Sequence, residues 1–171
     1  MPIIRQNTLF LVRKGDFMKK ISALVLVLSF VIMPIFMDGS ADAAPAPRLT
    51  KVRIVAVTSD GNDYVWENIA PNQLKAEKPL KGEMLHLKVL FMGYPKTYLA
   101  RSGGVNIYPH MKRYDTDYIE GRDRLIYGYY YYLKVPMSKL PTNSVRITGI
   151  DHLLGTQVLA NPIRFDREGD E

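Results

Sequence analysis

The 171 residues carry a formal charge of +6, are 47% hydrophobic and contain no cysteine. That excludes thiol catalysis, a disulfide framework and a lipid-modified cysteine. Lysine and arginine are scattered rather than clustered, which speaks against nucleic acid as a partner.

The chain opens on the pattern of an export signal. Met18, Lys19 and Lys20 precede an apolar run, residues 21–36, ISALVLVLSFVIMPIF. Ala41 and Ala43 then supply a small-x-small cleavage site, so the cut is expected between Ala43 and Ala44. The run is short of the roughly 20 residues a spanning helix needs, and Pro34 interrupts it, so no stable membrane anchor is expected after cleavage. Residues 1–17 make an unusually long n-region, which points to Met18 as the true start. The expectation is a secreted, extracellular protein beginning APAPR. Removing residues 1–43 takes away five bases and three acids and leaves 18 bases and 14 acids, a net charge of +4. This mild excess suits an anionic cell wall or membrane surface.

After the signal (1–43) and a Pro-rich lead (44–50), period-two alternation dominates residues 51–165. Residues 51–58, KVRIVAVT, read as a strand closed by the turn Ser59-Asp60-Gly61-Asn62. Residues 64–66 are a short β-prone stretch, and 67–82, with Pro71, Pro79 and Gly82, read as loop. Residues 83–92 form the clearest strand, with Leu85, Leu87, Val89 and Phe91 on one face and His86 and Lys88 on the other. Short strands follow at 96–101 and 105–108. Residues 109–124 are polar and charged and read as a long exposed connection. Residues 125–135, LIYGYYYYLKV, are aromatic and strongly β-prone. Residues 144–150 alternate again, and 157–160 with 163–165 make a last strand bent at Pro162. Residues 166–171 are a polar tail. About seven short strands with turns every 8–12 residues or so predict an all-β, antiparallel sandwich or barrel, preceded by a signal-peptide helix.

The stretch from Tyr132 through Pro136, Ser138, Leu140 and Asp151 to Gly155 and Val158 resembles the end of bacterial immunoglobulin-like domains. Those run strand, serine-x-leucine turn, alternating strand ending in Asp, glycine-containing turn, final strand. Asp151 and Gly155 stand at the hairpin positions. The resemblance covers about 35 residues, rests on β-turn chemistry, and implies an immunoglobulin-like sandwich and no activity. The spaced cysteines of antibody domains are missing. The whole chain is also similar to small secreted bacterial proteins of unknown function.

The tyrosine run carries the main functional expectation. Tyr127, Tyr129 and Tyr131 should face one way, Tyr130 and Tyr132 the other. An outward set, with Tyr108 and the other loop tyrosines nearby, suits glycan or protein contact, because phenols give flat apolar area with a polar tip. The plainer reading is cross-strand packing on a two-sided sheet. Asp115, Asp117 and Glu120 are weak metal candidates, for hard cations want clustered oxygens. Arg122, Arg124, Lys112 and Arg113 counter them. None of His86, His110 and His152 pairs at metal-ligand spacing, and no elbow surrounds any serine, although Ser102, His110 and Asp115 supply the residue types of a catalytic triad. No cofactor is expected. The leading expectation is a secreted binding module contacting cell-wall polymer, glycan or protein. The alternatives are a small secreted effector, inhibitor or toxin-like, acting through residues 109–124, and a secreted hydrolase.

Overall fold

The computed structural model describes residues 46–168. The expected signal helix and the Ala43–Ala44 cleavage site lie outside the described residues. Among those described, no helix is long and apolar enough to cross a membrane.

The alternation expected in the sequence is realised as an antiparallel β-sandwich. The first strand, β1 (Lys51–Ser59), pairs with β3 (Met84–Met92), and its far edge carries the two-residue β2 (Glu67–Asn68). The aromatic stretch becomes β7 (Ile126–Pro136), whose register sets Lys88 against Tyr132 and Leu90 against Tyr130. On β7 lies β6 (Lys112–Glu120), completing a five-stranded sheet in the order β2-β1-β3-β7-β6. The second sheet centres on β8 (Ser144–Asp151), flanked by β4 (Pro95–Ser102) with its short hairpin partner β5 (Val105–Asn106). The other edge of β8 is shared by β9 (Gln157–Leu159) and β10 (Ile163–Arg164). These two are the expected last strand, and Pro162 falls between them.

Two expectations are corrected. Residues 109–124 are not a long connection, because Lys112–Glu120 is a full edge strand. Its charged sequence hid it, yet charge is what an edge strand uses to avoid pairing with other chains. Two register shifts, near Arg113/Asp115 and Ile119/Glu120, also break its period. The β-prone stretch 64–66 is not a strand; Asp63 and Tyr64 take positive φ of 54° and 57°, and pairing starts only at Glu67.

The core lies between the sheets. Leu85, Leu87, Val89 and Phe91 of β3 face Ala100, Val145 and Ile147 of the other sheet, all fully buried. Each large side chain contributes about 1.5–3 kcal/mol on burial. The crossing from β3 to β4 turns at Gly93 (φ 96°), whose N–H donates to the Tyr127 carbonyl at 2.8 Å. A Cβ there would run into the backbone of Arg48, so both conformation and space require glycine.

Two aspartates fasten the ends of strands. Asp60 accepts from the N–H groups of Gly61, Glu83 and Met84, joining the turn after β1 to the start of β3. Burial opposes its charge, but these donors outweigh it and hold the carboxyl below its ordinary range. Asp151, fully buried, accepts from Leu49, Leu153 and Leu154 at 2.7, 3.0 and 2.9 Å. Gly155 follows with φ 66° and donates to the Asp151 carbonyl, so both hairpin positions seen in the sequence do turn work. Glu67 pins the loop after β2 through the N–H groups of Glu77 and Lys78. The polar tail begins with bonds of its own: Leu80 N–H donates to Asp166 and Glu168 N–H to Leu80.

Candidate binding face

The alternation of β7 divides the tyrosine run between two environments. Tyr129 and Tyr131 point inward and are buried with Phe91; the Phe91 and Tyr131 rings lie 4.8 Å apart. Burial pushes the Tyr129 phenol up to about 12. These two are packing residues. Tyr127, at the exposed start of β7, donates its hydroxyl to Asp123. Tyr108 sits in a 3-10 turn with its ring 5.2 Å from that of Tyr98, on the cleft between the sheets. Only Tyr130 and Tyr132 face outward from the middle of the first sheet, both half-buried.

That outer face is a continuous aromatic and charged surface. Lys88 stands directly opposite Tyr132 and places its ammonium 4.6 Å from the Tyr130 ring centre and 4.9 Å from that of Tyr132. Trp66 meets Tyr132 edge-on at 5.9 Å, delivered by the turn after β1. Tyr114, His86 and Tyr64 continue the chain of rings at 6.1, 5.4 and 5.2 Å. The Tyr132 hydroxyl donates to Asp117 at 2.6 Å, and Lys88 lies 3.8 Å from the same carboxylate. Burial first, and then this hydrogen bond, push the Tyr132 phenol up to about 12, so it remains a neutral donor. Burial lowers His86, and Lys134 adds to this, so the imidazole is held neutral beside the Tyr114 hydroxyl at 3.1 Å.

Beside Tyr130 the face deepens into a groove of about 360 Å³, bordered by Arg53, Val55, Asn68, Ile69 and Lys88. Arg53 Nε is buried and has no hydrogen-bond partner among the described residues. An unpaired buried donor is costly unless something accepts from it. The groove itself combines an aromatic wall, an amide, an ammonium and a guanidinium. That is the make-up of a site for a polar ligand with one flat apolar side.

The sequence drew attention to the tyrosines but missed Arg53, Asn68 and Trp66. The alternation of KVRIVAVT held the signal for Arg53, since it puts Arg53 on the face opposite the buried Val52 and Ile54. Trp66 and Asn68 had no such signal, because only the return of the chain along β1 brings them there.

The other candidates disperse. Asp117 is engaged by Tyr132 and Lys88, and Asp115 bonds the N–H of Thr116. Among the described residues no three His, Asp or Glu side chains are placed to hold a metal ion, so Asp115, Asp117 and Glu120 form no such site. Ser102 is buried and bonds Thr142, not His110, and His152 bonds the Tyr94 carbonyl; Ser102, His110 and Asp115 are therefore not joined as a triad. A concavity of about 670 Å³ is bordered by residues 80–84, 136–138, Arg167 and Glu168, and no histidine lines it.

Among curated proteins none matches the sequence. Residues 44–157 match a family described as a domain of unknown function, DUF4879. The match takes in both sheets of the sandwich from β1 to the start of β9, and the chain belongs to this family.

Proposed function

We propose that this protein is a secreted, immunoglobulin-like binding module that holds a cell-surface glycan on the outer face of its first sheet. The observation that carries the reading is the groove beside Tyr130, bordered by Arg53, Asn68 and Lys88. A sugar ring presents one apolar face to an aromatic side chain and hydroxyls around its rim to amide and guanidinium donors. Arg53, Asn68 and Lys88 are placed to supply those donors.

The immunoglobulin-like assignment is supported by strand order. β1-β3-β7-β6 over β4-β8-β9/β10 follows the A-B-E-D over C-F-G order of constant-type immunoglobulin sandwiches. Export is supported by the basic, apolar and small-residue segments before Ala44. It is checked by sequencing the N-terminus of protein recovered from medium, where APAPR is expected.

Glycan binding is tested by retention on isolated cell wall and by titration calorimetry against an oligosaccharide panel. Tyr130→Ala with Tyr132→Ala, and separately Arg53→Gln, should each weaken binding about tenfold or more, equivalent to about 1.4 kcal/mol. Absence of any glycan binding by the unaltered protein, or affinity unchanged in both variants, defeats the reading.

A further inference from the structure

The outer face of the second sheet has the opposite character to the first. Arg101 on β4 is directly opposite Arg146 on β8, and Arg164 on β10 is opposite Ser144, one diagonal step from Arg146. All three arginines are exposed. Side chains directly opposite in an antiparallel pair have Cβ atoms about 4.5–5.5 Å apart, and like charges there destabilise the sheet. Compensation by acids is missing. The only acid in β4, β5, β8, β9 and β10 is Asp151, which is buried and occupied by three backbone N–H groups. Asp166, two residues beyond Arg164, is taken by Lys75 at 2.7 Å. None of the three guanidinium groups has an ion pair among the described residues.

The three arginines also share a concavity. A notch of about 210 Å³ is bordered by Arg101, Arg146, Arg164 and Ser144, with the Gly103–Gly104 turn and Pro162 as its walls. That is smaller than the roughly 300–1,000 Å³ of pockets that enclose a whole small molecule. It is sized for one anionic group. The Gly103–Gly104 turn has φ of 55° and 88° and no side chains to fill the notch.

We infer that this notch is a binding site for a phosphate group, as a monoester or diester, on the face of the sandwich opposite the glycan groove. A carboxylate is satisfied by one bidentate guanidinium. Three guanidinium-bearing side chains bordering one notch match a group with more oxygens and up to two charges, and Ser144 borders the same notch with a hydroxyl. An anion there also neutralises the repulsion between Arg101 and Arg146. The inference rests on these residues alone and does not depend on the glycan reading.

The test uses the purified full chain in low-salt buffer, with thermal unfolding and titration calorimetry. The probes are inorganic phosphate, a glycerol phosphate oligomer, acetate as a carboxylate control, and phosphatidylglycerol vesicles. Phosphate and the oligomer should raise Tm, and acetate at equal ionic strength should not. Arg101→Gln combined with Arg146→Gln should weaken phosphate binding at least tenfold. Without ligand that variant should melt at or above the unaltered protein, because the like-charge pair is gone. The Tyr130→Ala, Tyr132→Ala variant should bind phosphate normally, which separates this site from the glycan groove. Equal response to acetate, unchanged phosphate affinity in the double arginine variant, or binding to vesicles with none to either soluble probe would each overturn the inference.

Discussion

Single side chains on the first sheet decide how it responds to pH. His86 is buried against Tyr64 and Tyr114, with Lys134 beyond. Burial first, then Lys134, hold its folded pKa below the ordinary 6.5, with Asp60 pulling weakly the other way. Below about pH 6.5 the unfolded chain takes up a proton that the folded chain refuses. Stability is therefore full above that pH and declines as pH falls toward the folded value. Melts between pH 5 and 8 should show this decline, and His86→Gln should flatten it while Gln keeps a donor for Tyr114. An identical slope in both proteins would remove His86 as the cause. The outward placing of His86 and Lys88 was legible from alternation alone. The neutral state of His86 was not, for it depends on Tyr64 and Tyr114, 22 and 28 positions away in the chain.

At the scale of elements, β7 shows one sequence doing two jobs. Tyr131 packs on Phe91 and Tyr98 within the core, and its neighbour Tyr130 faces out. Tyr131→Ala should cost about 3 kcal/mol or more, the usual range for removing a buried aromatic ring. Tyr130→Ala should cost less than about 1 kcal/mol and leave the fold intact. Urea titrations of the two variants check the difference, and equal costs would mean that the inward and outward assignments are wrong. Period two in LIYGYYYYLKV predicted the split between the two sets. It did not say which set was inward, because both are tyrosine; the buried Leu133 and Val135, at the same parity as Tyr129 and Tyr131, settle it. β6 was illegible for a different reason. Its charges and bulges erase the period, and it is a strand because β7 offers it a free edge.

At the scale of the whole molecule, the chain closes through its last residues. Lys75 and Leu80 form parallel bridges with Arg164 and Arg167, and Lys75–Asp166 and Lys81–Glu168 ion pairs lie beside them. Ending the chain after Phe165 should abolish protection from hydrogen exchange at the Leu80 amide, which donates to Asp166, and leave Ala76, which donates to Arg164, protected. Loss of protection at Leu85 or Leu87 as well would show instead that the tail supports the core. The sequence by itself determined the period of the strands, the turn residues at Asp60, Asp151 and Gly155, and so an antiparallel sandwich or barrel; those depend on a residue and its near neighbours. The tertiary structure alone decided that Arg53 and Asn68 border one groove with Tyr130, and that Arg101, Arg146 and Arg164 share one notch. Such groupings follow from strand order and register, which are fixed by how the two sheets bury their apolar faces against each other.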